Sequence, residues 1–393
     1  MVGNLVSTKG EKKLRNFDVV IIGSGVIGLS IAYHLSQFPD LKVAVIEKEK
    51  LPCTGSTANC TGGIRHQFSN PTNIALTKIS LPYLMNFEKE MDYPVYAMNR
   101  GYLFVSSDPS KVTDFESVLA MLKKFGVSAD FLTPADIAQQ YPYLQTDDLV
   151  GGTICPLDAC ADPYGVTMGY FKQSRNNGVE VFFQEEVTGM IVSDHQVKGI
   201  QTTAGSISCK VLVNAAGPHL PEIGKMAGLD IPARPYRRQV YVCSPLSDIP
   251  ADAPLVVDMD TGFYLHTERS GTLLLGGTDK DSSPGRDTSV DWSLLDGFIE
   301  AAVHRIPCLE EADLVRAYVG TRSLTPDYMG IVGEHPHLKG FYLAGGFAGN
   351  GFMHSPAIGL ITSQLITKGR CDLLDISPLS PARLCGEKEK NIF

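Results

Sequence analysis

Three glycines in Gly23-Ser24-Gly25-Val26-Ile27-Gly28, followed by a carboxylate at Glu47, are spaced to hold a dinucleotide. A short β-branched run, 18–22, leads into them; residues 29–36 have helical character, and a second run, 42–46, ends at Glu47. In that setting Gly23 permits a tight turn, Gly25 lets backbone approach a diphosphate, and Gly28 lets the helix pack closely on the strand. The helix amino terminus then faces the anion. Glu47, about 20 residues beyond Gly28, can accept hydrogen bonds from ribose hydroxyls and disfavour a 2′-phosphate. With strand, glycines, helix, strand and acid in register, an ordinary glycine turn is the weaker reading.

Further segments join this fingerprint. They are Gly55-Ser56-Thr57, Gly62-Gly63-Ile64-Arg65-His66, Asn214-Ala215-Ala216-Gly217, the run from Gly320 through Arg322 to Asp327, and the run from Gly345 to Ala357. Their joint occurrence in this order resembles the D-amino-acid oxidase superfamily of FAD enzymes over most of the chain. Within it the sarcosine oxidase and glycine oxidase branch is closest, including the beta subunits of sarcosine oxidase and proline dehydrogenase complexes. The resemblance implies that Gly23, Gly25, Val26, Ile27, Gly28, Glu47 and Lys48 hold the adenosine and diphosphate. It implies that Ser56, Thr57, Gly62 and Gly63 stand beside diphosphate and flavin, that Val187 touches the adenine through its backbone, and that Ala216 and Gly217 form a second cofactor-facing turn. Gly346, Gly349, Asn350, Gly351, Phe352 and Met353 would cross the isoalloxazine edge. A glycine-dense turn there lets amide N–H groups face the flavin carbonyl that gains negative charge on reduction.

The implied reaction is hydride transfer from a carbon next to nitrogen onto flavin N5, followed by hydrolysis of the imine. The substrate would be a small secondary amine or amino acid such as sarcosine, glycine or proline. Cofactor geometry carries that chemistry, so no catalytic triad is expected. The protein must instead supply a carboxylate clamp, for which a planar guanidinium is suited. Arg65 matches the arginine of monomeric sarcosine oxidases and Arg322 that of glycine oxidases, with Arg322 preferred; the plain alternative for either is a structural ion pair. Tyr264 and His266 alternate on one strand face and line the pocket in this reading, although strand aromatics are more often core. Met353 joins the catalytic set by its place in the flavin turn, whereas His354 reads as a structural hydrogen-bonder.

Two departures from the pattern matter. The lysines that sarcosine oxidases carry where Met353 and Leu274 stand are missing, which leaves the electron acceptor open among O2, a quinone and a partner subunit. Asn59 and Gly320, where covalent-flavin relatives carry His or Cys, cannot form that bond, so FAD is expected to be non-covalent. Two rival functions stay open: oxidation of a hydroxy acid or glycerol phosphate, and a non-catalytic FAD-holding assembly factor.

The elements that must position these residues imply two domains in 393 residues. The expected fold is α/β. A discontinuous Rossmann-type FAD-binding domain (16–95, 148–232 and 320–380) carries an inserted α+β substrate domain on a large, mostly antiparallel sheet (96–147 and 233–319), with tails at 1–15 and 381–393. Apolar residues at 44% and charged residues at 20% fit a folded soluble chain. A net charge of −9 without a long basic block argues against a nucleic-acid partner. Nine cysteines without C-x-x-C pairs suggest reduced thiols, neither a disulfide frame nor a metal site. The apolar run from Val19 is broken by glycines and reads as neither signal peptide nor membrane span, so a cytoplasmic location is expected.

Overall fold

The computed structural model describes residues 15–277 and 283–385; residues 1–14 and 386–393 of the expected tails lie outside the described residues. Strand β1 (Arg15–Ile22), helix α1 (Val26–Leu35) and strand β2 (Val43–Ile46) form the anticipated crossover. Val19 to Ile21 and all of β2 are at most 3% exposed, as expected for parallel strands covered on both faces. Five strands run parallel, in the order Phe341–Gly345, Gly205–Asn214, β1, β2, Glu180–Phe182. The strand order reverses on either side of β1, so a crevice opens at its carboxyl end, where open α/β sheets bind ligands. An antiparallel ribbon, Val187–Ser193 and Gln196–Thr202, extends the same sheet.

The second sheet has eight strands, ordered Leu314–Leu324, Arg234–Cys243, Leu273–Gly276, Tyr264–Thr267, Leu255–Asp258, Tyr102–Ser106, Gly151–Cys155, Asp130–Leu132. All neighbours are antiparallel except Leu255–Asp258 with Tyr102–Ser106. Gly151–Cys155, taken from sequence with the cofactor segment, pairs here, because Gly152 packs its bare backbone against the Phe104 carbonyl. The fold is therefore α/β, with a Rossmann-type sheet and a large, mostly antiparallel second sheet.

Two sequence boundaries need correcting. The carboxyl-terminal helix, expected over 357–366, spans Gly351–Lys368, so Gly351, Phe352 and Met353 are its first turn rather than part of a loop. Pro356 hides this in the sequence, because inside a helix it lacks the N–H that would bond the Phe352 carbonyl; the helix runs through it all the same. Pro381–Cys385, expected as tail, is a 3-10 turn tied down by Arg383, whose Nε donates to Asp327 Oδ2 at 2.7 Å.

Helix Gly351–Lys368 packs on α1 at very short range. A Cβ on Gly359 would stand 2.2 Å from Ser30 Oγ and 2.5 Å from His34 Cδ2, and Ser30 Oγ donates to the Ser355 carbonyl at 2.7 Å. This contact joins the two ends of the sequence and brings the Gly346–Asn350 turn toward the crevice.

In the second sheet's core, Arg305 is 1% exposed. Its Nε donates to Asp258 at 2.9 Å, and its terminal nitrogens donate to Asp148 at 2.8 and 3.1 Å. The Arg305 bonds hold the Asp148 carboxyl down at about 2, against the opposing effect of burial. Arg305→Ala leaves Asp258 buried without its cation, and should cost about 3–5 kcal/mol in urea unfolding. The Asp148 contribution is present above about pH 4 and is lost as pH falls through its folded value near 2. Acid titration of the unfolding midpoint should therefore show a step below pH 4 that Arg305→Ala removes.

Candidate active site

At the crevice, Gly23 has φ +101°, and a Cβ there would lie 2.7 Å from the Ala215 carbonyl oxygen. A Cβ on Gly28 would lie 2.0 Å from the Gly23 carbonyl oxygen. The chain's own backbone thus demands both glycines. Gly25 differs: its φ is −73°, and a Cβ there would meet only Thr57 Oγ1 at 3.4 Å. Space beside Gly25 is thus left open by the protein. The N-cap Gly25 offers no side chain and no acid lies in the first turn of α1; Val26 N–H donates to Thr57 Oγ1 at 3.3 Å. A helix terminus with open space beside its N-cap suits a diphosphate. These residues fit the diphosphate of FAD.

Glu47 spans the turn. Its Oε2 accepts from Ser24 N and Ser24 Oγ, both at 2.8 Å, and its Oε1 from Glu49 N at 3.0 Å. Lys48 Nζ lies 3.1 Å from His219 Nε2, reaching across the end of β1 to the segment after Asn214. There Asn214 shapes the second turn, accepting from Ala216 N at 3.3 Å and donating to the Leu220 carbonyl at 2.9 Å. Gly217 has φ +55° and open space around it, while Val187 is buried at the start of the antiparallel ribbon. Gly62 and Gly63 are fixed by packing: a Cβ would stand 2.2 Å from the Ala161 carbonyl oxygen and 1.6 Å from Tyr102 Oη, respectively. Ser56 Oγ lies 3.1 Å from Thr321 Oγ1, stitching the first sheet's 3-10 turn Ser56–Asn59 to strand Leu314–Leu324.

That strand carries Arg322 from the second sheet into the crevice. Ala348 N donates to the Ser323 carbonyl at 2.9 Å, which seats the turn containing Gly346 (φ +73°), Ala348 (φ +52°) and Gly349 (φ +97°) against it. A Cβ on Gly349 would be 2.9 Å from Arg322 Nε, so the glycine makes room for the guanidinium. No side chain caps helix Gly351–Lys368 beside Asn350, and Met353 is 6% exposed.

Arg65 and Arg322 are both partly buried, and neither forms a salt bridge among the described residues. Arg65 donates to the Gln67 carbonyl and lies over the Phe68 ring, 3.8 Å from its centroid. Burial lowers its pKa, and the positive charge of Arg322 adds to that effect, so the two guanidinia act on each other. Tyr264 sits with Arg322: burial pushes the phenol up, while the charge of Arg322 opposes the shift. His266, 6% exposed, is instead pushed down to about 4 by burial beside Arg100. It lines a neighbouring cleft of about 740 Å³ with Asn59, Cys60, Thr61, Leu274 and Arg316. Tyr264 and His266 thus share one face of the strand, Tyr264 beside Arg322 and His266 at that cleft. His354, held at about 3 by burial, has Nε2 3.1 Å from Thr77 Oγ1, as a structural hydrogen-bonder.

Sequence reasoning missed Thr61, Phe68, Tyr102 and Asp158, which shape the surroundings of Tyr264 and Arg65. No local motif marks them: Asp158 and Tyr102 reach the 65–68 segment only in the folded chain, and the Phe68 ring beside Arg65 belongs to no recognised pattern. His66, Cys155 and Asp158 bring donor atoms within 4.8 Å of one another. Hydrogen bonds already engage them: His66 Nδ1 with Asp158 at 2.9 Å, and Cys155 Sγ with the Ser128 carbonyl at 3.5 Å. Among the described residues, no helix is long and apolar enough to cross a membrane.

An open helix terminus at Gly25, a glycine turn packed on Arg322 and a second, mostly antiparallel sheet fit the class of flavin-dependent oxidoreductases. Residues 18–365 match the family of FAD dependent oxidoreductases called DAO, and the chain belongs to that family. It is 28% identical over 370 residues to human mitochondrial sarcosine dehydrogenase, covering 90% of this chain and 40% of that protein. It is 29% identical over 385 residues to rat mitochondrial dimethylglycine dehydrogenase, covering 92% and 44%. The chain thus spans about two fifths of the length of these relatives. The crystal structure of L-proline dehydrogenase from P. horikoshii superposes with a TM-score of 0.88 at 29% identity, covering 94% of this chain and 98% of that one. FAD is the cofactor of the family.

The glycine geometry separates folding from cofactor binding. Gly28→Ala forces a Cβ onto the Gly23 carbonyl and should lower the thermal midpoint sharply. Gly25→Ala should fold with a midpoint near wild type yet bind FAD at least about tenfold more weakly, a loss of about 1.4 kcal/mol, in fluorescence titration. Equal FAD affinity in Gly25→Ala and wild type would remove the diphosphate from that position.

Proposed function

We propose that this protein oxidises the carbon–nitrogen bond of a small secondary amine or amino acid, of the sarcosine, glycine or proline type, whose carboxylate is held by Arg322 with Arg65 beside it. The observation that carries this reading is the pair of partly buried guanidinia that lack an acidic partner among the described residues, with Arg322 packed against the turn at Gly349. A buried cation left unpaired is costly, and a ligand carboxylate recovers that cost by bidentate hydrogen bonding. Bound FAD supplies the hydride acceptor. The chain's residues orient and enclose: Arg322 fixes the carboxylate end, Tyr264 and Met353 wall the pocket and exclude water, and the glycine turn leaves room for the clamp. The names of the relatives, which specify sarcosine, dimethylglycine and proline, support the same substrate class.

Several finer assignments follow from this reading. Gly23, Gly25, Val26, Ile27, Gly28, Glu47, Lys48, Ser56 and Thr57 serve the adenosine and diphosphate, with Val187, Ala216 and Gly217 completing the rim. Gly346 and the segment 349–353 serve the ring. FAD is held without a covalent bond: Asn59 and Gly320 meet closely, a Gly320 Cβ standing 2.9 Å from Asn59 Cβ, and neither offers an imidazole or thiol. Leu274 and Met353 put apolar groups where a cation would favour reaction with O2, so a dehydrogenase passing electrons to a quinone or a partner subunit is the better reading. The cofactor domain comprises the first sheet and its helices, and the substrate domain the second sheet, now including Gly151–Cys155. The free thiols fit a reducing compartment, cytoplasm or mitochondrial interior, the latter being where two relatives are named.

Anaerobic addition of sarcosine, proline and glycerol phosphate separately to oxidised enzyme should bleach the flavin with an amine and not with the alcohol; bleaching only by glycerol phosphate sinks the amine reading. Arg322→Ala should keep its flavin while apparent substrate affinity falls by about 2 to 4 kcal/mol. Unchanged steady-state kinetics would make Arg322 a structural residue.

A further inference from the structure

Tyr102 is 7% exposed, and its ring stacks with that of Phe104, the centroids 6.1 Å apart. Its hydroxyl rests directly on Gly63: a Cβ there would fall 1.6 Å from Tyr102 Oη and 2.7 Å from Cζ. Any side chain at residue 63 would push the phenol off this position. Among the described residues the Tyr102 hydroxyl has no hydrogen-bond partner. Burial pushes the phenol's pKa up, so it keeps its proton and acts as a donor. A tyrosine packed this deeply normally finds a partner for its O–H, because the hydrogen bond it gave water must be replaced. The chain thus gives up a side chain at Gly63 to place a hydroxyl that bonds none of the described residues.

Arg65 shares this corner. It follows the short strand Gly63–Ile64, two residues from Gly63, and in extended chain that spacing presents both to one side, whereas the fully buried Ile64 faces the other. The guanidinium carbon of Arg65 lies 3.8 Å from the Phe68 centroid and 5.6 Å from that of Phe104, the ring stacked on Tyr102. Gln67 ties the group together: its amide donates to the Tyr102 carbonyl at 2.8 Å, and its own carbonyl accepts from Arg65. We propose that Tyr102 is a substrate-binding residue whose hydroxyl donates to the same ligand carboxylate that engages Arg65. This inference rests on the assignment of Arg65 and Arg322 to carboxylate binding and adds a neutral donor to it. A carboxylate has about four lone-pair sites, so it can accept from a hydroxyl as well as from guanidinium. Gly63 serves the site by leaving the space that the phenol occupies.

The test compares FAD-loaded wild type and Tyr102→Phe, titrated with acetate while the flavin's visible absorbance is followed. Phenylalanine keeps the ring, its stacking on Phe104 and its fit over Gly63, so the variant should melt at or above the wild-type midpoint. It should bind acetate about tenfold more weakly, the loss of one hydrogen bond to a charged acceptor. With whichever of sarcosine or proline reduces the flavin, the half-saturating concentration should rise by more than the limiting rate falls. Equal acetate affinity in the two proteins overturns the proposal, as does a change confined to the limiting rate. If the hydroxyl serves the flavin or an internal water instead, FAD affinity or the midpoint falls while acetate affinity stays put, which overturns it too. Wild type that binds acetate no better than Tyr102→Phe, yet is reduced by an amine, loses only the Tyr102 role. Wild type that neither binds acetate nor is reduced by either amine loses the carboxylate site itself.

Discussion

The approach of α1 to the carboxyl end of β1 sets the geometry from which the rest of the site is built. A side chain at Gly28 would collide with the Gly23 carbonyl, and one at Gly23 with the Ala215 carbonyl. Only bare backbone allows helix, turn and neighbouring strand to converge there. The Glu47 carboxylate then braces the turn through Ser24, and open space remains beside Gly25 at the helix terminus. Binding capacity for an anion is a by-product of how tightly these elements pack.

A second constraint couples the two sheets. Strand Leu314–Leu324 is an edge of the antiparallel sheet, yet its far end touches the Ser56–Asn59 turn and seats the Gly346–Asn350 turn. One continuous strand therefore fixes Arg322 relative to the cofactor cradle. The fit of helix Gly351–Lys368 on α1, through Gly359 and Ser30, sets the opposite wall. Together these contacts bring segments from both ends of the chain into one pocket.

Electrostatically, the pocket differs from the ion pairs elsewhere in the molecule. Arg305 and Arg383 have carboxylates in contact, as buried or half-buried arginines usually do. Among the described residues, Arg65 and Arg322 do not. Their charges are tempered by an aromatic face, by carbonyl and hydroxyl dipoles and by Asp158 at a distance, which leaves hydrogen-bonding capacity for a ligand.

The sequence by itself determined the parts that depend on short-range covalent spacing. The crossover from β1 to β2, its three glycines with Glu47, and the second turn after Asn214 could all be read from periodicity and residue type, since a turn's backbone requirement is local. Other features were decided only by tertiary structure. Gly25 alone among the fingerprint glycines leaves room for a ligand, because the other two are used up by neighbouring backbone. Strand Gly151–Cys155 joined the second sheet through long-range pairing, and helix Gly351–Lys368 began earlier than its apolar pattern implied. The contacts of Asp158 with His66 and Gln67 had no signal in the chain. Contacts between residues far apart in sequence depend on how sheets stack, and stacking is set by the summed packing of many side chains rather than by any one motif.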